Sequence, residues 1–291
     1  MKINKSKKPW AIAGVLLVSC IWGCSFALIK ISLGSISYYQ FVCFRFVLAA
    51  LVLALLLNKK LMTLSKAKLG IGYLVGLPLF AGFILQTAAL NFTKVGNVSF
   101  ISGVYVVLVP VLSFFFYRKI SVWQILIGLL TLFGLYVFSA VGGLAINRGD
   151  ILASGSAVCY AFHFLLISKY CKILDTMVLT FLQTLATATY AFIVAVAMGM
   201  LAQPVVLNHM VIFTICFCAV FSTALAYYIQ SSAQKVLTAT QTTVFFTSES
   251  VYGAFFGWLL LDELFTLNQY IGAAIMGSCM VLSVLLPYLQ E

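Results

Sequence analysis

Acidic side chains are nearly missing from this chain, which carries six Asp and Glu against seventeen Lys and Arg. Charged residues make up only 8% of the sequence, where a water-facing domain carries roughly a quarter. So small a charged fraction cannot cover a hydrated surface, and lipid must be the main solvent. The shortage of carboxylates also weighs against the competing class, an intramembrane enzyme acting on a lipid-like substrate. Such sites pair carboxylates around a metal or set a His beside an acid. Here Asp262 and Glu263 are adjacent, and Asp150 is the only other acid expected on their side. No Gly-rich phosphate loop or nucleotide module is present, which excludes ATP hydrolysis as a drive. The eight Cys fall almost wholly inside apolar runs, and Cys216 and Cys218 point to different sides of a helix. Small buried hydrophobes are their expected role, with no disulfide framework, metal or cofactor.

What fills the chain instead is hydrophobic: 64% of residues, with a mean hydropathy of +1.14. The apolar runs are about 20 residues long, the length a helix needs to cross ~30 Å of hydrocarbon. They are continuously apolar, without the short alternating segments of a membrane barrel. The expected spans are 10–30, 38–58, 69–90, 98–117, 121–141, 151–170, 176–198, 209–232, 238–260 and 267–287. Lys2, Lys5, Lys7 and Lys8 precede the first run as in a secretory signal. That run is too long for a signal core and has no small-residue cleavage site, so an uncleaved span is expected.

The net charge of +11 is explained by topology. One side of the membrane would hold Lys2, Lys5, Lys7, Lys8, Lys59, Lys60, Lys66, Lys68, Arg118, Lys119, Lys169, Lys172 and Lys235. The other would hold Lys30, Lys94 and Arg148, with Arg45 inside a span. The richer side is cytoplasmic by the positive-inside rule, which puts both termini inside and requires an even span count. No basic stripe is interleaved with exposed aromatics, so no nucleic-acid partner is expected. The expected partners are the bilayer, a small solute and protons, with the chain a monomer or weak dimer.

The chain also repeats itself. Ser19-Cys20-Ile21-Trp22-Gly23-Cys24-Ser25-Phe26 parallels Ala157-Val158-Cys159-Tyr160-Ala161-Phe162-His163-Phe164. Asn91, Lys94-Val95 and Val98-Ser99 parallel Ser232, Lys235-Val236 and Ala239-Thr240. Gln124 through Gly128 parallels Gln269 through Gly272. Five spans per copy is an odd number, so the second copy, 146–291, would enter the membrane inverted relative to the first, 1–145. Inverted repeats supply two near-equivalent packings open to opposite sides, the physical basis of alternating access.

Several short motifs carry a family resemblance. They are Trp22-Gly23 with Phe26 and Lys30, then Arg45 and Pro110 in the first half. The second half adds Ser248-Glu249-Ser250-Val251, Asp262-Glu263-Leu264 and Gln269-Tyr270-Ile271-Gly272. In that order, over nearly its whole length, the chain resembles an EamA-type transporter of the drug/metabolite transporter superfamily. The resemblance implies an all-α bundle of ten transmembrane helices in two inverted five-helix repeats, in a bacterial inner membrane, exporting amino acids or other metabolites. Two departures stand out. Glu249-Ser250 replaces the family's Glu-Pro, which puts a break of the ninth helix in question, and Tyr160 replaces a Trp.

Polar residues inside spans are the candidate site, because each intramembrane charge costs at least ~2.5 kcal/mol. Arg45 is either a structurally paired or snorkelling cation, or a gate that grips a carboxylate through two parallel hydrogen bonds. Glu249, mid-span, cannot snorkel, and serves either a helix-to-helix bond or a coupling role in a wet cavity. His163 is either a hydrogen-bonded core residue or a proton carrier, and Tyr160 shares its helical face. Trp22, Gln86, Tyr227 and Gln241 complete the expected substrate-binding set, with Asn91, Tyr228 and Gln230 as further candidates. Aromatics with a few amides suit a modest organic, zwitterionic solute. Gly76, Pro78 and Gly82 are expected to give a kink or a close helix contact.

Overall fold

The structure is a computed structural model that describes residues 7–58, 64–93, 95–117, 122–139, 147–261 and 266–289. The described residues are helical, without strands. The first half contains α1 (Lys8–Ser32), α2 (Tyr38–Leu57), α3 (Lys66–Ala89), α4 (Val95–Ser102), α5 (Tyr105–Tyr117) and α6 (Val122–Ser139). The second contains α7 (Arg148–Tyr170), α8 (Thr176–Ala197), α9 (His209–Ala219), α10 (Ala226–Ala233), α11 (Ala239–Phe246), α12 (Ser248–Leu261) and α13 (Leu267–Leu289). Helix starts are closed by short polar side chains. Ser37 with Gln40, Asn147 with Asp150, and Thr238 with Gln241 form reciprocal capping boxes. These satisfy amides that a helix start leaves unbonded.

Eight helical runs among the described residues are long and apolar enough to cross a membrane, and Val122–Phe138 is a shorter apolar helix. The chain is therefore a multi-pass membrane protein. Its lipid-facing side chains, such as Leu51, Leu55, Phe192 and Ile193, are exposed and apolar, as a hydrocarbon solvent requires.

Two expected spans are not single helices. The run expected over 98–117 turns at Gly103 and Val104, between α4 and α5. The run expected over 238–260 is divided at Thr247, and α12, with 14 residues, rises only about 21 Å. The second division needs no proline. Thr243, Thr247 and Ser248 each turn a hydroxyl back onto a carbonyl three residues earlier, at 2.9, 2.7 and 2.7 Å. Such local bonds compete with the helical ladder. Helices α9 and α10 are joined by a π-helical segment, Val220–Leu225, inside the eighth expected span.

Helix α3 packs on α7 and α8, α6 on α13, α2 on α8, and α1 on α10 and α12. The α3–α8 contact depends on Gly76. A Cβ there would stand 2.6 Å from Ala186 Cβ and 2.9 Å from the Gln183 carbonyl oxygen. Gly82 is likewise flat against the Tyr160 ring, and α3 continues through Pro78. Close contact is thus the outcome for this cluster.

Candidate functional site

Between the two halves lies a cavity walled by residues of both. Helices α1, α2, α3, α5, α7, α10 and α12 and the π segment all contribute to its wall. Trp22, Arg45, Gln86, Tyr160, His163, Tyr227 and Glu249 line it together.

Arg45, 1% exposed, is held by the π segment. Its Nε donates to Thr223 Oγ1 at 2.7 Å, and Nη2 donates to the Ser222 carbonyl at 3.1 Å and its hydroxyl at 3.0 Å. The guanidinium also lies over the Phe83 ring, 4.5 Å from its centre. The same Ser222 carbonyl accepts from Trp22 Nε1 at 2.9 Å. One carbonyl therefore orients both the cation and the indole. No carboxylate pairs with Arg45 among the described residues, and its Nη1 makes no hydrogen bond with them.

Glu249 belongs to a different wall. It is the second residue of α12, directly after the break, where the positive end of the helix dipole favours a carboxylate. Tyr105, the first residue of α5, donates its hydroxyl to Glu249 Oε1 at 3.5 Å. The second pieces of both divided helices thus begin at the cavity. The hydroxyls of Ser99 and Ser250 meet at 2.7 Å beside these breaks and join the two divided helices. Arg45 and Glu249 are not an ion pair.

The remaining wall is aromatic with isolated polar groups. Trp22 packs on Tyr227, Tyr227 on Phe83, and Phe83 on Tyr160, with ring centres 5.8, 6.3 and 5.8 Å apart. Tyr160 donates to Gln86 Oε1 at 2.9 Å. His163 Nε2 donates to Gln183 Oε1 at 2.8 Å, and its ring meets Tyr227 edge-on. Gln230, one turn beyond Tyr227, also lines the cavity.

Gln241 is elsewhere. Its Oε1 accepts from the Thr238 amide and its Nε2 donates to the Ser283 carbonyl at 2.8 Å, so it caps α11 and ties it to α13. A polar residue beside a helix start is used by the cap first, which is why sequence alone misplaced it. Asn91 and Tyr228 are exposed and outside the cavity. Of the acids weighed for an enzyme, Asp262 and Glu263 lie outside the described residues, and Asp150 is engaged by the Asn147 amide and the Thr93 hydroxyl.

Ser222, Thr223, Ser25 and Gln183 escaped sequence reasoning, because small hydroxyls and a lone amide in an apolar run carry little signal. The repeat offered one clue. The offset that relates Trp22 to Tyr160 also relates Ser25 to His163 and Arg45 to Gln183.

A cavity at the junction of two repeats, approached by two divided helices, is an arrangement found in membrane transporters. The family comparison decides the point: the EamA-like transporter family matches twice in succession, over residues 9–140 and 147–285. The chain belongs to the EamA-like transporter family. It is a membrane transporter with that family's two-repeat fold, within the drug/metabolite transporter superfamily. An uncharacterized transporter of Archaeoglobus fulgidus is 30% identical over 269 residues, covering 92% of this chain and 83% of that one. A solved protein crystal structure superposes with a TM-score of 0.79 at 16% identity, covering 98% of this chain and 99% of the other. At that identity it shows the fold alone.

Proposed function

We propose that this EamA-family protein exports a small zwitterionic metabolite, an amino acid or close relative, across the inner membrane by alternating access. In this reading ten spans form two inverted halves, 1–145 and 146–291, with both termini cytoplasmic. The observation that carries the solute class is an arginine without an acidic partner and a glutamate without a basic one among the described residues, both lining one aromatic-walled cavity. A carboxylate meeting Arg45 gains paired, charge-assisted hydrogen bonds in a site of low dielectric. An ammonium group finds its counter-charge at Glu249. Trp22, Gln86, Tyr160, His163 and Tyr227 then surround the rest of the solute. An unpaired charge in a membrane interior is costly, and the bound zwitterion offsets that cost at both ends.

Calorimetry on the purified protein tests the reading. Amino acids are expected to bind, and their decarboxylated amines and deaminated acids to bind at least about tenfold more weakly, since each lacks one charge-assisted contact. Equal affinity for all three would sink the zwitterion reading. Glu249 is also the proposed proton-coupling group, with His163 the alternative. Flux into proteoliposomes should then depend on a pH gradient. Flux indifferent to the gradient, and undiminished in Glu249→Gln and His163→Ala, would exclude coupling.

A further inference from the structure

Helices α1 and α3 both line the cavity, and they are joined at one end of it. At the level of Trp22 on α1 and Phe83 on α3, the Tyr227 ring stands between them, 5.8 and 6.3 Å from the two ring centres. Ile29 and Leu90 are the last cavity-lining residues of the two walls, and both are buried. Immediately beyond them, Lys30 Nζ donates to the Leu90 carbonyl and, at 3.4 Å, to the Thr93 carbonyl. Lys30 is in the last turn of α1, and Leu90 is the residue that closes α3.

Electrostatics favours a cation at this place. Each helix C-terminus carries a partial negative charge and carbonyls without a partner in the helix. Two such ends repel one another unless a positive group serves both. The Lys30 ammonium does so, by ending α1 and bonding the last carbonyls of α3.

The turn that Lys30 grips is itself fixed to the second repeat. Thr93 Oγ1 donates to Asp150 Oδ1 at 3.2 Å and accepts from Asn147 Nδ2 at 3.2 Å and Asn97 Nδ2 at 3.1 Å. Gly149 lets the start of α7 lie flat against this turn. A Cβ there would stand 2.8 Å from Thr93 Cγ2 and 3.0 Å from the Ala89 carbonyl oxygen. Lys30 therefore ties α1, which packs on α10 and α12, to α3, which packs on α7 and α8. Its side chain is otherwise exposed, so water can receive the ammonium when the contact opens.

The other end of the cavity has no equivalent. The offset that relates Trp22 to Tyr160 places neutral Ser168 opposite Lys30, and the offset that relates Lys94 to Lys235 places Gln234 opposite Thr93. There the bond between helices is neutral, from Gln234 Nε2 to the Phe164 carbonyl at 3.1 Å. A device present at one end of an inverted repeat makes the two ends unequal.

We propose that Lys30 is a strap across this end of the cavity. While its ammonium holds the Leu90 and Thr93 carbonyls, the ends of α1 and α3 stay together and that mouth is shut; release of the ammonium opens it. This rests on the cavity being the transport site and does not depend on the identity of the solute. In the proposed orientation the strapped mouth faces the periplasm, the release side of an exporter.

The test is the rate at which a small charged methanethiosulfonate modifies Thr87→Cys, a cavity-lining position 3% exposed, in the full chain in nanodiscs without solute. Site-resolved mass spectrometry reads native Cys171, Cys218 and Cys279, all 0% exposed, in the same sample as reporters of general loosening. Adding Lys30→Met should raise the rate at the Thr87→Cys site about 5- to 30-fold and leave the three native sites unmodified. Lys30→Arg keeps the cation and should stay within about threefold of the parent. Thr93→Val keeps Lys30 but frees the turn from Asp150, and should raise the rate about 3- to 10-fold. It decides the matter alone if Lys30→Met does not fold. An unchanged rate in the folded variants would overturn the strap, as would a rise shared by the native buried cysteines or a rise as large in Lys30→Arg as in Lys30→Met. Because no solute is present, failure here leaves the amino-acid reading standing, and failure of amino-acid binding leaves this result standing.

Discussion

At corresponding positions of the two repeats, one corner of the cavity holds Arg45 with Ser25, and the other holds His163, which is bonded to Gln183 behind the cavity wall. The first corner is charged and closely bonded. The π segment gives Arg45 two hydroxyls and a carbonyl, and Ser222 also meets the Ser25 hydroxyl at 3.4 Å. The second corner is neutral and under-bonded. In the second half, Gln183 Nε2, the Thr184 hydroxyl, both Gln230 side-chain atoms, the Ser231 hydroxyl and Gln234 Oε1 are buried without partners among the described residues, and of these residues only Gln230 lines the cavity. In the first half, Ser32 alone is so placed among the described residues. A duplicated scaffold has thus kept its backbone plan and lost its chemical symmetry. In the proposed reading this asymmetry gives the solute one orientation, its carboxylate toward Arg45 of the first repeat.

Breaking the charged corner should have the largest effect. Arg45→Lys keeps the charge but loses the planar fork, and amino-acid affinity measured by calorimetry should fall about 100-fold. Moving the charge in the double variant Arg45→Gln/Gln183→Arg should fail to restore binding, because the α8 position lacks the Thr223 and Ser222 acceptors. Recovery to within tenfold of wild type would show the corners to be interchangeable. Thr223→Val leaves Nε without its partner and should weaken binding about tenfold, with stability lower by about 1–3 kcal/mol in a denaturation series. On the second corner, His163→Phe orphans Gln183 Oε1. It should lower stability by a similar ~1–3 kcal/mol and weaken amino-acid affinity less than Thr223→Val does. Smallest of all, Gln241→Leu removes a cap and an inter-helix bond. It should lower stability by about 1 kcal/mol without altering ligand affinity.

Much of the fold was legible in the sequence because membrane solvation acts on long stretches. A run such as Tyr38–Leu57 can only be a spanning helix when its backbone must bond internally. The breaks were less visible. Without a proline at Ser250, the division of 238–260 depends on hydroxyls of Thr243, Thr247 and Ser248 that read as ordinary polar residues. At the site, the expensive groups Arg45 and Glu249 were recognisable from cost alone. Gln241 was misplaced and Thr223 missed, because neither a cap nor a second partner has a sequence signature at that spacing.

Composition and charge order by themselves determined that this chain lives in lipid, and the duplicated motifs pointed to two copies of one unit. Those properties sum over many residues, so no single contact can reverse them. The tertiary structure alone decided that Arg45 meets Ser222 and Thr223 rather than Glu249, and that Gln241 caps α11 away from the cavity. Helical periodicity sets which residues share a face, but which face meets which neighbour depends on how the helices pack. There, one turn of π winding and a glycine without a Cβ set where the polar atoms meet.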